Sequence, residues 1–451
     1  MADRRSEGPV GVGGASPGTR AGQRLPRRFH ASCHAHYSSH RLELDGLIPS
    51  VPIADGCRHQ VAEPPQLSRP PTLPRVSGPD ANEFDVAVIG GGIAGAAAAW
   101  ALAPHLRVVV LEAESGLSYH TTGRSAAVLT ESYEAEPIRE LTGRSRSILT
   151  TEFADVSGLL TNRGVLWIAS IGQDAAVERA LAAARESPVT VDLLDPGTAQ
   201  TLCPVLRREI CLAALHEPGA MAIDVDLLQQ EYLRRARSHG AAVRTNARVT
   251  GIRHDDQWYL AINGMTVRCT HVVNAAGAWA DEVAIMAGLR PIGLTPLRRT
   301  AFLFPAPGGG GHESWPCTIG INEDWYFEPY GPLMLGSNAD EHPDIPRDVH
   351  AEDIDVAEAI EKINTITTLS IRRVLKQWAG LRTFAADRLP VVGSDRTEPT
   401  FHWYAGLGGF GIMTSPALGR ALSDRVLTRP DPAKGTSVTG ATESRGMYNG
   451  R

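Results

Sequence analysis

Six consecutive residues, Gly90-Gly91-Gly92-Ile93-Ala94-Gly95, carry the spacing G-x-G-x-x-G, and a carboxylate, Glu112, follows Gly92 by 20 residues. Such a set can cradle a dinucleotide. Gly90 permits a tight turn, Gly92 leaves room for a pyrophosphate where a Cβ would collide, and Gly95 lets a helix pack closely on a sheet. A carboxylate at position 112 can accept hydrogen bonds from ribose hydroxyls. The glycines alone are a weak signal, because glycine-rich turns are common.

Their setting strengthens them. Phe84, Val86, Val88 and Ile89 form a short apolar run that reads as a buried strand. An alanine-rich helix follows the glycines, and Val108 to Leu111 is a second apolar run closing on Glu112. Strand, glycines, helix, strand and acid fall in the order of a nucleotide-binding βαβ unit. The free N–H groups of the helix's first turn, and its dipole, would face the phosphates. Three further stretches let backbone come close to a ligand: Leu117 to Val128, rich in small and hydroxylated residues; Asn274-Ala275-Ala276-Gly277 after an apolar run; and Leu407 to Ala417, a glycine turn at a helix start.

The chain has 451 residues, enough for more than one domain, with 43% hydrophobic and 21% charged content. A formal charge of −6 gives no reason to expect nucleic acid as a partner. No apolar run approaches the roughly 20 residues that span a bilayer. None of the six cysteines forms a CxxC pair, so zinc and redox motifs are not supported and reduced thiols in a cytoplasm are expected. Residues 1–80 are rich in Arg, Pro, Gly, Ser and His and lack apolar periodicity, which reads as a disordered extension. His30, His34, His36, His40 and Cys33 could hold a metal, but scattered histidines in such a tail are the plainer reading.

Beyond the first unit, helices are expected at 137–153, 174–185, 226–239 and 354–366, and Leu407 to Ala417 leads into one that ends near Leu427. Strands are expected at 164–170, 210–216, 241–244, 247–253 and 294–304. Hairpins are expected around Asn263-Gly264 and Pro329-Tyr330-Gly331.

At this point the motifs VIGGGIAGA, VVVLE, YHTTGRSAA, VNAAGAW, RRTAF, WAGLRTF and GGFGI occur in an order that resembles the FAD-dependent D-amino acid oxidase superfamily. Within it the likeness is greatest to bacterial D-arginine dehydrogenase, over about residues 83–428. The resemblance implies an α/β fold: a Rossmann-like FAD-binding domain interleaved with an α+β substrate domain built on an antiparallel sheet. It divides the chain into FAD-binding segments 83–135, 226–292 and 373–428 and substrate segments 136–225 and 293–372, with a mobile tail at 429–451.

It also implies non-covalent FAD. Gly90, Gly92, Ala94, Gly95, Glu112 and Ala113 would serve its phosphates and ribose. Thr121, Thr122, Gly123, Arg124, Ser125, Ala126, Ala127 and Val128 would embrace flavin and pyrophosphate, Val249 would hold the adenine side, and Gly277 is a further cofactor contact. Gly408, Gly409, Phe410, Gly411, Ile412 and Met413 would approach the isoalloxazine. Arg299 and Arg382 match carboxylate-binding arginines, and Tyr133 and Tyr326 match pocket tyrosines. Arg298, Arg372 and Arg373 are read as structural.

Three positions depart from the likeness. Val128 replaces a pocket histidine, Val165 replaces the glutamate that receives a guanidinium, and Met413 replaces a polar residue. Arginine is therefore not the expected substrate. The expectation is oxidation of a small carboxylate-bearing amine, foremost a D-amino acid with a neutral or apolar side chain. Hydride would pass from the α carbon to flavin N5, and the imine would hydrolyse to a 2-oxo acid and ammonia. A 2-hydroxy acid or secondary-amine substrate, or a non-catalytic flavin-binding protein, is the alternative. No residue stands out as a general base, and the electron acceptor is left open.

Overall fold

The computed structural model describes residues 82–132 and 136–428. The expectations for the N-terminal extension, the C-terminal tail and Tyr133 fall outside these residues.

The first apolar run forms the strand Glu83–Ile89, fully buried from Val86 to Val88. It lies in an eight-stranded sheet between Val108–Leu111 and Met265–Asn274, parallel to both. Ala242–Arg244 and Phe401–Ala405 extend the parallel part, and three other strands pair antiparallel around it. Ile89 is in register with both Leu111 and Asn274. The next residues of three chains, Gly90, Glu112 and Ala275, therefore emerge together at the carboxyl edge of the parallel strands, where open α/β sheets bind ligands.

The helix Ile93–Leu102 is buried at all ten positions, which explains its alanine content. It is packed between the helices Val225–Ser238 and Gly411–Leu427, and small side chains let the three approach closely. At Gly419 an added Cβ would lie 3.0 Å from the Ala97 carbonyl oxygen. The hairpin at Asn263-Gly264 forms as expected, with positive φ at both turn residues.

The second sheet has nine strands. Thr295–Pro305 pairs on one side with Lys376–Phe384 and on the other with Leu333–Ser337, followed in order by Tyr326–Tyr330, Cys317–Gly320, Val165–Ser170 and Cys211–Glu217. The pairing is antiparallel with one exception: Cys317–Gly320 runs parallel to Val165–Ser170. A small three-stranded sheet, in which Val128–Leu129 pairs with Met221–Ile223, was not expected from the sequence, because a two-residue strand has no readable period.

Strand alternation gives the nine-stranded sheet two faces. Leu166, Ile168, Phe302, Phe304, Phe327 and Met334 pack on the helix Asp353–Ile366. The other face carries Arg299, Tyr326, Glu328, Cys317 and Val165 and lines a cavity. Arg298, one residue from Arg299, points to the helix side and pairs with Glu352 and, at 3.2 Å, with buried Asp355. Breaking such a buried pair leaves an uncompensated charge and costs about 3–5 kcal/mol. Arg298→Met should lose stability of that order in denaturant unfolding; a loss under about 1 kcal/mol would show that the pair is dispensable.

Candidate functional site

Two cavities of about 690 Å³ and about 200 Å³ share Gly92, Thr121, Thr122, Ala275 and Gly277 and form one elongated cleft. The smaller part lies at the carboxyl edge of the parallel strands, between Gly90, Glu112, Ala113, Val249 and Trp279. The larger part runs beneath the nine-stranded sheet to Arg299, Arg382 and Tyr326.

The glycine turn has geometric reasons for its composition. Gly90 has φ +105°, and a Cβ there would lie 2.4 Å from the Ala275 carbonyl oxygen. A Cβ on Gly95 would lie 1.9 Å from the Gly90 oxygen. Gly92 is different. A Cβ there would meet a single protein atom, Thr122 Oγ1, at 3.1 Å, and would otherwise project into the cleft. Gly277, with φ +55°, has no protein atom within 4 Å of such a Cβ and borders both cavities. These are cradle positions that a side chain would fill. The helix Ile93–Leu102 has no side-chain cap, and Ile93 N donates to Thr122 Oγ1 at 3.0 Å. The Glu112 carboxylate accepts from Gly91 N at 2.6 Å and Glu114 N at 2.9 Å while facing the smaller cavity. It therefore braces the turn, a role the sequence did not disclose. An elongated cleft, a helix N-terminus with one first-turn N–H taken up by Thr122, and glycine cradles fit a dinucleotide such as FAD.

Thr121, Thr122, Ser125, Ala126, Ala127 and Val128 line the larger cavity, as do Ala94, Gly408, Gly409, Gly411, Ile412 and Met413. Hydrogen bonds from Thr121 Oγ1 to the Leu381 oxygen, 2.8 Å, and from Trp378 Nε1 to the Arg124 oxygen, 3.0 Å, hold this segment along the strand Lys376–Phe384. Gly123, Arg124, Gly95 and Phe410 line neither cavity. Gly123 packs on Ser118, and the Arg124 guanidinium is taken up by Asp348 at 2.6 Å and by the Ala379, Val349 and Tyr119 carbonyls. That side chain turns outward because its length reaches four acceptors away from the cleft. Phe410 is core, 2% exposed.

Arg299 and Arg382 lie on neighbouring antiparallel strands. Arg382 is opposite Leu297, so the two arginines occupy one face, diagonally placed. Arg299 is already engaged: Nε donates to the Asp340 oxygen at 2.7 Å, and a terminal nitrogen lies 3.3 Å from Glu341. The Arg382 guanidinium, half-buried, rests on the Gly409 backbone, with no hydrogen bond or ion pair holding it among the described residues. A Cβ at Gly409 would lie 2.8 Å from its terminal nitrogen. Tyr326 borders the cavity between the arginines and an apolar wall of Val128, Val165 and Ile319. Arg372 and Arg373 are exposed and away from it.

Sequence reasoning missed Glu328. Its signal was the spacing Tyr326-x-Glu328, which puts both residues on one face of a strand. Glu328 lines the cavity at 6% exposure. Burial pushes its carboxyl up to about 7, opposed by the charge of Arg163 and by hydrogen bonding with the Cys317 thiol. Burial also raises the Cys317 thiol, which stays protonated. Because the native carboxyl holds a proton that the unfolded chain loses above its ordinary value of 4.5, stability should fall as pH rises from 4.5 through about 7. Glu328→Gln lacks this loss, so its melting temperature relative to wild type should climb between pH 5 and pH 8. A pH-independent difference would contradict the raised carboxyl.

Among the described residues Cys203, Cys211, Cys269 and Cys317 are free and buried. No helix of these residues is long and apolar enough to cross a membrane.

Residues 85–425 match the model of the DAO family, described as FAD dependent oxidoreductase. The chain is 25% identical over 381 residues to the mitochondrial dimethylglycine dehydrogenase of Mus musculus, covering 78% of this chain and 43% of that protein. It thus spans less than half the length of that relative. It is 24% identical over 357 residues to glycine oxidase of Geobacillus kaustophilus, covering 76% of this chain and 93% of that one. The structure of L-proline dehydrogenase from P. horikoshii superimposes with a TM-score of 0.70 at 21% identity, covering 77% of this chain and 94% of that chain, a likeness of fold.

Proposed function

The chain belongs to the DAO family of FAD-dependent oxidoreductases, and we propose that it oxidises a small amine bearing a carboxylate, foremost a D-amino acid with a neutral or apolar side chain. The observation that carries this reading is the unengaged guanidinium of Arg382, aimed into a cavity that also holds Arg299 and Tyr326. A guanidinium fork binds a carboxylate bidentately and stays charged at any working pH. Arg382 supplies the main grip, and Arg299 adds whatever donors Asp340 and Glu341 leave. Tyr326 donates to the bound substrate and covers it from water, and Tyr133 is assigned the same part. Val128, Val165 and Ile319 take the side chain. Glu112, Thr122 and the first turn of Ile93–Leu102 hold the dinucleotide. FAD, when bound there, supplies the acceptor for the hydride that leaves the substrate's α carbon. The protein's part is orientation.

A second reading is favoured by the relatives. Glycine oxidase and dimethylglycine dehydrogenase are named for glycine and an N-methylated glycine. A glycine or N-methylglycine would leave the apolar wall in contact with the amine substituent rather than with a side chain.

Anaerobic mixing of the FAD-loaded protein with D-amino acids, glycine, N-methylglycines and 2-hydroxy acids distinguishes the readings. Neutral D-amino acids should bleach the flavin fastest. Faster bleaching by N-methylglycines selects the second reading. Failure of every carboxylate-bearing amine rejects both.

A further inference from the structure

The amine of an amino acid must be neutral when hydride leaves the neighbouring carbon, so its ammonium proton needs an acceptor. We propose that Glu328 is that acceptor, a catalytic base on the floor of the cavity. The inference rests on the amine-oxidising reading above and adds the residue that reading lacked.

The placement comes from strand register. Val165 pairs with Cys317, Glu328 follows Phe327, the partner of Thr318, on the next strand, and all three side chains line one cavity. On that face Val165 and Cys317 are buried and apolar in character, and Leu335 stands opposite Glu328 from the next strand. The charge of Arg163 acts on this carboxyl, but no ion pair to Glu328 exists among the described residues, and its hydrogen-bonding neighbour is the Cys317 thiol. By contrast Glu217, next in the row beyond Val165, is saturated by Thr130, Glu131 and Ser132. Glu328 is thus the acid on this face whose acceptor capacity is left for something in the cavity.

Its relation to Arg299 suits a small amino acid whose carboxylate is held between Arg299 and Arg382. From Arg299 to Glu328 the diagonal crosses two strand spacings and four residues, on the order of 16 Å between Cα atoms. An arginine and a glutamate reaching towards each other over that span leave room for a carboxylate at one end and an amine at the other, with Tyr326 between them on the same face.

An N–H bond of the substrate ammonium breaks, and its proton goes to a Glu328 oxygen. The α C–H bond breaks with its electron pair, for which FAD, when bound, would be the two-electron oxidant. The nitrogen lone pair forms the C=N bond of the imine. A carboxylate in water is too weak a base for this exchange, and burial is what raises it into the working range. The groups facing Glu328 are Cys317 from the neighbouring strand, Arg163 from the turn before Val165, and Tyr326 on its own strand. Across the cavity stand Arg299, Arg382 and Asp340, the last held by Thr300 N at 2.7 Å.

The test uses the FAD-loaded protein and whichever of glycine, N-methylglycine or D-alanine bleaches its flavin fastest. In the wild type kcat/KM should rise with pH along a limb near neutrality. In Glu328→Gln that limb should vanish and kcat/KM at pH 7 should fall by about 100-fold or more, the usual share of a general base. Glu328→Asp should keep the limb with a slower rate. Independently of turnover, an infrared pH titration should show a protonated carboxyl band that ionises near neutrality in the wild type and is missing from Glu328→Gln. A wild-type profile without the limb, an unchanged limb in Glu328→Gln, or a carboxyl band that persists in that variant overturns the assignment. If none of the three probes bleaches the flavin, the amine-oxidising reading falls and this proposal falls with it. Bleaching with an unchanged limb removes Glu328 alone.

Discussion

Replacing Arg382 by alanine should raise KM for the carboxylate substrate by about a hundredfold or more, with kcat/KM falling in proportion. A charge-assisted hydrogen bond contributes about 1.5–3 kcal/mol, and a bidentate pair uses two. The structure supports a loss at the upper end because no protein group competes for this guanidinium among the described residues. Arg382 stands on a regular strand and leans on Gly409, so its position costs little to maintain before the ligand arrives. Arg299→Ala should cost less, since two of its donors already serve Asp340 and Glu341. Arg382→Lys should recover part of the charge but not the fork. Steady-state kinetics on the best substrate of the panel decides the matter. An Arg382→Ala enzyme with unchanged kcat/KM would exclude this arginine as the carboxylate grip.

The second large effect separates two glycines of one motif. Gly95→Ala should fail to give folded, FAD-containing protein, because the new Cβ would lie 1.9 Å from the Gly90 oxygen and 3.0 Å from its carbon. Those are backbone atoms at the end of a central strand, and neither can move without disturbing the parallel register. Gly92→Ala meets a single side-chain atom, Thr122 Oγ1, at 3.1 Å and should fold. It should nonetheless lose FAD affinity, since its Cβ occupies the cleft. Circular dichroism and melting report folding, and flavin absorbance after gel filtration reports retention. A folded Gly95→Ala protein, or a Gly92→Ala protein that keeps full FAD, would contradict these assignments.

Much of the first domain could be read from the chain because its signals are local. The run Val86–Ile89, the glycines, the alanine-rich helix and Glu112 lie within one short segment, and each reports its own environment by side-chain type. The positive φ of Gly90 and the burial of every residue of Ile93–Leu102 follow from that segment. The partner of Glu112 did not: Gly91 N reaches its carboxylate only after the two strands align. Arg124 shows the reverse error. Its neighbours in sequence border the cleft, but a long side chain at the edge of a turn found Asp348 and three carbonyls outside it.

Residue types and spacing along the chain were enough to specify a dinucleotide-binding βαβ unit and the strand that carries Arg299, while the antiparallel sheet and the pairing of Arg299 with Arg382 rested on the resemblance. Period-2 and period-3.6 patterns act over a few residues and survive without knowledge of partners. Which acid stands in the cavity is a different kind of fact. Glu217 and Glu328 are both buried glutamates on strands, and the spacing Tyr326-x-Glu328 places the second beside a tyrosine without showing which partners either acid meets. Pairing across distant strands surrounds Glu217 with donors and leaves Glu328 facing Val165, Cys317 and the open cleft. The same long-range register engages Arg299 and leaves Arg382 unengaged. Desolvation and the supply of hydrogen-bond partners are properties of the packed neighbourhood, and that neighbourhood is assembled from segments far apart in the chain.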